Sequence, residues 1–283
     1  TISAIAEHLI ESCSDNVIRS HENDLPADKR NMYDSLIDHN ISKAAVESKF
    51  QSQRKIRQVC EREVAVIGMA GIFPGADNVG ELWNNLITGY DAITPFPDDR
   101  SGLALAKKYI NWGGFIKDID KFDADFFNIS PKEAELMDPQ QRIFLQTVCG
   151  SIEDAGYGID ELSGTRTALF AGAGAADYFE LLKQDSEIEG HTITGVSQSI
   201  LPNRVSYLLG LNGPSEAINT ACSSSLVAIH RAVQSIQSGE SDMAIAGGVN
   251  CLLSSTIFVG CAQSGMLSED GHCKSFSSSA NGY

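Results

Sequence analysis

From residue 63 onward, short apolar runs alternate with amphipathic stretches. Residues 64–67, 167–171, 217–221 and 243–246 are apolar runs bounded by polar or turn residues, and they predict buried strands. Residues 81–88, 139–155, 202–209 and 223–238 carry apolar side chains at three- and four-residue spacing, which predicts helices. In the last of these, Leu226, Ile229, Val233 and Ile236 mark the helical period. Such alternation predicts an α/β layered domain. The first sixty residues have a different texture. Ile2, Ile5, Leu9 and Ile10 share one helix face, residues 12–29 are polar with Pro26, and Met32, Leu36, Ile37 and Ile41 form a second stripe. Lys49, Arg54, Lys55, Arg57 and Arg62 then make a basic run, read as a solvated face or as a grip on an acidic partner domain. The organisation expected is a short helix at 1–11, a linker with a helical segment at 12–61, and the α/β domain at 62–283.

Composition narrows the class. A chain of 283 residues, 42% of them hydrophobic, can bury a large core in one or two domains. No apolar run approaches the roughly 18 residues of a membrane span, and no secretory signal pattern opens the chain. Seven cysteines without tight spacing argue against a disulfide framework, and the absence of CxxC or His-x-x-x-His spacing argues against a metal site. The net charge of −16 argues against a nucleic-acid partner and for solubility. The expectation is a cytoplasmic domain with neither membrane nor nucleic acid as partner.

The stretch Asn219-Thr-Ala-Cys222-Ser-Ser-Ser225 places one cysteine where an apolar run ends and a helical period begins. The first N–H groups of a helix lack intrahelical partners and carry the positive end of its dipole, so a sulfur held there is favoured as thiolate, the form that attacks acyl groups. A lone cysteine is more often a small buried hydrophobe; here its neighbours change the odds. Thr220-Ala-Cys-Ser-Ser-Ser225 followed by Leu-Val-Ala-Ile-His230 resembles the nucleophile segment of the β-ketoacyl synthases of polyketide and fatty-acid assembly. The resemblance continues in order through Val64–Gly71, Phe73-Pro74-Gly75, Phe122–Phe127, Asp138-Pro-Gln-Gln-Arg142, Glu153–Tyr157, Asn203-Arg204, Ala246–Asn250, Gly265-Met-Leu-Ser268 and Cys273-Lys-Ser-Phe276. Residues 200–204 and 213–216 are most similar to modular synthases whose acyltransferase is a separate protein. Residues 1–11 resemble the end of an acyl carrier domain, with a docking helix as the alternative.

This resemblance implies the thiolase-like fold, two similar halves stacked as αβαβα layers, of which this chain holds the first half. It implies that Cys222 takes an acyl group from the phosphopantetheine thiol of an upstream carrier, with its own N–H an oxyanion donor. A malonyl unit on a downstream carrier then loses carbon dioxide and condenses with it. No cofactor is bound directly; the phosphopantetheine belongs to the carriers. Partners implied are the two carrier domains, the remaining half of the ketosynthase, the separate acyltransferase and a second copy in a homodimer, with residues 217–220 pairing across the axis. The setting implied is a multifunctional enzyme of antibiotic-type biosynthesis. The family's two catalytic histidines, in His-Gly-Thr-Gly-Thr and Asn-x-x-His-x-Glu motifs, are absent here, so condensation is not expected from these residues alone. Two other readings stay open: a non-elongating domain that only transfers or gates acyl chains, and a structural fragment without activity of its own.

Other residues carry smaller expectations. Gln263 and Met266 come from a segment bordering the acyl pocket in related enzymes, which makes them substrate-selectivity candidates beside ordinary packing. Asp138-Pro139 predicts an N-cap with proline at the first helical position. Arg142 is a candidate partner for a buried carboxylate. Cys149, Cys251 and Cys261 sit in apolar settings and read as inert core thiols. Gly247 and Gly248 are read as allowing close backbone passage beside the cysteine elbow. Among the histidines, His230 lies in the helix after Cys222, His191 reads as a loop residue, and His272 stands where the family commonly has Arg.

Overall fold

The computed structural model describes residues 63–174, 176–185 and 188–283. The predicted helices, linker and basic run before residue 63 lie outside the described residues. Eight α-helices and five strands are described, joined by short 3-10 turns. They are α1 (Val79–Thr88), β1 (Ile93–Pro95), β2 (Trp112–Gly114), α2 (Pro131–Leu136), α3 (Pro139–Asp154), β3 (Thr167–Ala173), α4 (Tyr178–Asp185), α5 (Gly190–Val196), α6 (Ile200–Leu208), β4 (Ser215–Ile218), α7 (Ser224–Gln237), β5 (Met243–Val249) and α8 (Ser255–Gln263). No described helix is long and apolar enough to cross a membrane.

β3 lies at the centre of a parallel sheet, paired with β4 on one side and β5 on the other. A parallel sheet covered by helices buries both faces, and all seven residues of β3 are buried. Successive side chains go to opposite sides. Ala168 and Phe170, with Ala244 and Ala246 of β5, pack against Ala228 and Ala232 of α7. Leu169, Ala171 and Ala173 face the larger core formed by Phe144, Leu145 and Val148 of α3 and Leu201 and Val205 of α6. β1 and β2 form a separate antiparallel hairpin, Ile93 opposite Gly114 and Pro95 opposite Trp112.

α3 begins as its sequence dictates. The Asp138 side chain accepts a hydrogen bond from the N–H of Gln140 at 2.8 Å, and Pro139 occupies the first turn, where its missing N–H costs nothing. Four expectations need correction. Residues 243–246 lie in a strand, β5, but it is half-buried along an outer edge of the sheet rather than buried. Residues 64–67 form no strand: Val66 is 80% exposed and the segment has no ladder partner among the described residues. An apolar run becomes a strand only when another strand accepts its hydrogen bonds; just beyond this one, Met69 N–H donates instead to Asp154 Oδ2 (2.8 Å). The strand before Cys222 spans Ser215–Ile218, ends three residues sooner than its apolar run, and is an edge strand, half-exposed rather than buried. His191 lies in α5, not in a loop.

Candidate active site

The elbow between β4 and α7 is built by its own short polar side chains. Ala221 sits at φ 54°, a left-handed conformation that costs an L-residue roughly 1 kcal/mol or more, so the turn is held by surrounding bonds. The N–H of Ala221 donates to Asn219 Oδ1 (3.3 Å), and that of Thr220 donates to Ser224 Oγ (2.9 Å). Ser224 Oγ in turn donates to the Ala221 carbonyl (2.7 Å), while Ser223 Oγ lies 2.9 Å from the Thr220 carbonyl. Serines and threonines therefore close the turn upon itself and leave Cys222 at its tip, exposed, in the 3-10 turn Ala221–Ser223 that leads directly into α7. Ser223 caps α7 without a side-chain hydrogen bond to the helix's first N–H groups. The N–H of Ser224, the first residue of α7, donates to the Ala221 carbonyl, tying the helix start to the turn that carries Cys222.

What presses the elbow into place is the close approach of α7 to the sheet. A side chain at Gly172 of β3 would place its first carbon 2.9 Å from the Ser224 carbonyl carbon and 3.0 Å from the Ser225 nitrogen. Gly248 of β5 faces Ser225 with equally little room, which bears out the close passage expected there; Gly247 meets only ordinary contact, with Phe144. Gly172 was not singled out by sequence, although a glycine inside an otherwise bulky buried strand marks this kind of backbone approach.

A polar network joins α2, α3, α5 and α6. Gln141 Nε2 donates to the Gly195 carbonyl (2.7 Å), its Oε1 accepts from Arg204 Nε (3.0 Å), and Arg204 pairs with Glu133 at 2.6 Å. The loop after β5 is held from below: Asp177 Oδ2 accepts from the N–H groups of Leu253 (3.0 Å) and Ser254 (2.8 Å), and Gln140 Oε1 accepts from Cys251 N–H (3.2 Å). Burial pushes the Asp138 carboxyl up to about 6, opposed by its hydrogen bonds from Gln140, and pushes Asp177 up as well. Arg142 donates to the backbone carbonyl of Asp120 (3.1 Å), and its charge also acts on the buried Asp138 carboxylate, a partner of the kind expected. Cys149 and Cys251 are buried, and burial pushes their thiols up to about 11 and about 12, as inert core thiols require. Cys261 departs from that reading. It is only partly buried, on the last turns of α8, and its Sγ accepts a hydrogen bond from the Tyr283 hydroxyl at 3.2 Å.

Tyr283 ties several candidates together. Its N–H donates to the Met266 carbonyl (3.0 Å) and its carbonyl accepts from Ser268 N–H (2.9 Å). Its phenol is pushed up to about 12, first by the bond to Cys261, then by burial, with smaller contributions from the charges of Cys261 and Cys222. The Tyr283–Cys261 contact was missed by sequence reasoning, since nothing in their local pattern signals contact across the fold. Gln263 and Met266 are both exposed, at the end of α8 and just beyond it. A cavity of about 250 Å³ lies nearby, walled by the β1–β2 hairpin, by Cys251 and Leu253, by Phe258 of α8, and by Gly271 and Tyr283. Among the described residues no cluster of His, Cys, Asp and Glu has the arrangement of a metal site.

Comparison with known proteins decides the family. The model of the β-ketoacyl synthase N-terminal domain matches residues 61–283. The chain belongs to the β-ketoacyl synthase family. Polyketide synthase PksN of Bacillus subtilis (strain 168) is 47% identical over 230 residues, covering 78% of this chain and 4% of that protein. The pikromycin polyketide synthase component PikAII of Streptomyces venezuelae is 44% identical over 237 residues, covering 80% of this chain and 6% of that protein. Among solved structures, the ketosynthase from module 6 of the bacillaene synthase of Bacillus subtilis 168 superposes with a TM-score of 0.70 at 42% identity, covering 77% of this chain and 37% of that one. The oxazolomycin ketosynthase domain OzmH KS7 of Streptomyces albus JA3453 gives 0.68 at 38% identity, covering 77% and 39%. The fold is therefore the α/β, thiolase-like fold of ketosynthase domains, and the chain spans well under half the length of these solved domains.

Proposed function

We propose that this chain supplies the nucleophile-bearing part of a condensing ketosynthase that extends a polyketide. Cys222 Sγ attacks the thioester carbonyl of an acyl group carried on the phosphopantetheine of an upstream carrier. The tetrahedral oxyanion forms against backbone N–H groups, that of Cys222 in the turn before α7 among them, and collapses with expulsion of the carrier thiol, which takes the proton Cys222 gave up. A malonyl thioester on a downstream carrier then loses carbon dioxide, and the resulting enolate attacks the acyl-Cys222 carbonyl. A new carbon–carbon bond forms and the Cys222 sulfur leaves. The histidines that polarise the malonyl carbonyl belong to the complementary part of the ketosynthase, which is a required partner in this reading. The reading includes a two-fold dimer joined along β4, a cytoplasmic setting, and a separate acyltransferase that loads the carriers. This last point rests on the Ile200-Leu-Pro-Asn-Arg204 and Gly213-Pro-Ser-Glu216 stretches.

The observation that carries the proposal is the exposed Cys222 at a strained turn, set against two glycines that fix its distance from the sheet. The test is acyl loading of the intact protein from an acyl-carrier donor, followed by mass spectrometry. A single acyl adduct on the peptide containing Cys222 is expected, and C222A removes it. An adduct that survives in C222A sinks the assignment. Loading without release of carbon dioxide from a malonyl carrier would favour the non-elongating transfer domain instead.

A further inference from the structure

We propose that His272 is a proton-operated latch, holding the loop of residues 268–274 against the hairpin wall of the cavity and releasing it as the imidazolium is lost. The latch rests first on valence. His272 Nδ1 lies 2.6 Å from the backbone carbonyl oxygen of Asp270, which accepts a hydrogen bond at any pH and never donates one. His272 Nε2 lies 2.6 Å from Asp91 Oδ2. The other oxygen of that carboxylate already accepts the N–H of Ile93 at 3.0 Å, and the bond from His272, followed by that from Ile93, holds the Asp91 carboxyl below its usual range. Two acceptors therefore face the two ring nitrogens. A neutral imidazole has one N–H and satisfies only one of them; the doubly protonated ring satisfies both.

The loop is otherwise bonded to itself, to Asn281 and, through Ser268 N–H, to the Tyr283 carbonyl (2.9 Å). Asp270 gathers Lys274 Nζ (2.7 Å to Oδ2), Ser268 Oγ (2.7 Å to Oδ1) and the N–H of His272 (3.2 Å). Asn281 completes the group through Ser268 and Lys274. The loop meets the hairpin in two places: through the His272–Asp91 pair, and through Gly271, at φ 74°, packed so closely on Trp112 that any side chain there would collide with it. Gly271, Ile93 and Trp112 all line the cavity. The ion pair thus joins the two sides of the cavity wall, and its loss leaves the loop held to the hairpin by the packing of Gly271 alone, with the Asp270–Lys274 group intact. Among the described residues, the charged groups facing His272 are Asp91, from the segment between α1 and β1, and Asp270 of its own loop, with Oδ1 at 3.9 Å. Lys274 is paired with Asp270, and Trp112 from β2 brings no charge.

These partners set the direction of the pH response. The bond to Asp91, then that to Asp270, raises the His272 pKa above its usual 6.5. The latch is fully engaged below the unfolded value and is lost as pH rises through the raised folded value. Hydrogen–deuterium exchange of the full chain, resolved by peptide and corrected for intrinsic rates, tests it from about pH 6 to about pH 9. Peptides covering 268–274 and 91–95 should lose protection by about two- to fivefold over this range, as suits an exposed pair, while the β3 peptide stays unchanged. H272R, a permanent cation, should keep the loop protected throughout, and D91A, which removes the acceptor as well as the charge, should leave it unprotected throughout. Wild-type loop protection that is independent of pH, or D91A protection equal to wild type at low pH, overturns the proposal. Should D91A also loosen β3, the contrast between wild type and H272R at high pH decides alone.

Discussion

Asp138 serves two purposes that pull in opposite directions. Its carboxylate caps α3, accepting the N–H of Gln140, yet it is 2% exposed and burial raises its pKa to about 6. A carboxyl whose folded pKa exceeds its unfolded one stabilises the fold less as pH rises: the penalty begins above the unfolded value of 3.8 and is complete above about 6. A rise of this size corresponds to an upper limit of about 3 kcal/mol. Asn at this position keeps the capping oxygen and cannot ionise. D138N should therefore gain on wild type between about pH 4 and about pH 7, by up to that amount. Denaturant unfolding at several pH values reads the difference directly. The change with pH isolates ionisation from any fixed cost of the altered contact to Gln140, and a difference that stays flat with pH would refute the assignment. Gly172 makes a second residue-scale prediction. A methyl group there meets backbone of Ser224 and Ser225, which cannot step aside as a side chain can. G172A should cost about 1–3 kcal/mol and slow acyl loading of Cys222 by roughly ten- to a hundredfold through displacement of the turn. Alkylation of Cys222 by a small reagent should continue, since exposure does not depend on that alignment.

The same closeness explains what the sequence showed, and what it hid, at the scale of elements. The period of Leu226, Ile229, Val233 and Ile236 correctly marks a helix after Cys222. The side chains buried against the sheet, however, are Ser224, Ala228, Ala232 and Ser235, while Leu226 is 72% exposed and Ile229 also faces outward. With glycines on β3 and β5 drawing the helix in, only small side chains fit beneath it, so hydrophobicity read by size points to the wrong face. Ala228, fully buried, should be the sensitive position: A228L overpacks the contact with Ala168 and Phe170 and is expected to cost about 1–3 kcal/mol in thermal unfolding. A neutral outcome would mean that the helix can lift from the sheet. β3 was legible because a parallel strand buried on both faces leaves a continuous apolar run, and β5, though only half-buried at the sheet edge, because Met243–Ala246 is a short apolar run bounded by polar residues and glycine. α3 was legible because its cap and proline are local signals. The β1–β2 hairpin strands have three residues each, too few for a period to register. The Tyr283–Cys261 contact and the Asp177 bonds to Leu253 and Ser254 join residues 22 and about 76 apart, a relation no local pattern encodes.

At the scale of the whole molecule, much apolar surface is left facing water. Val66, Ile67 and Met69 are more than half exposed, as are Trp83, Leu86 and Ile87 of α1, a helix with no buried residue, while Leu226 and Ile229 lie outward on α7. β4 pairs with β3 alone and β5 with β3 alone, so both outer edges of the sheet are open among the described residues. Exposed apolar groups on this scale, together with open strand edges, mark surfaces that other polypeptide covers. Burial at roughly 25 cal/mol per Å² makes leaving them in water comparable to the whole net stability of a domain. Two covers fit the proposed function: the complementary part of the ketosynthase over α1, α7 and residues 64–69, and a second copy along β4, where pairing of like edges about a two-fold axis is self-complementary. Residues 62–283 produced alone should therefore aggregate or remain associated. Co-expression with the complementary part of the ketosynthase should yield a defined dimer by light scattering. A charged residue at Ala217, exposed on the β4 edge, should shift that dimer toward monomer. A monodisperse monomer of 62–283 with a cooperative thermal transition would show that the exposed apolar side chains are tolerated as they stand, and would remove the case for both covers.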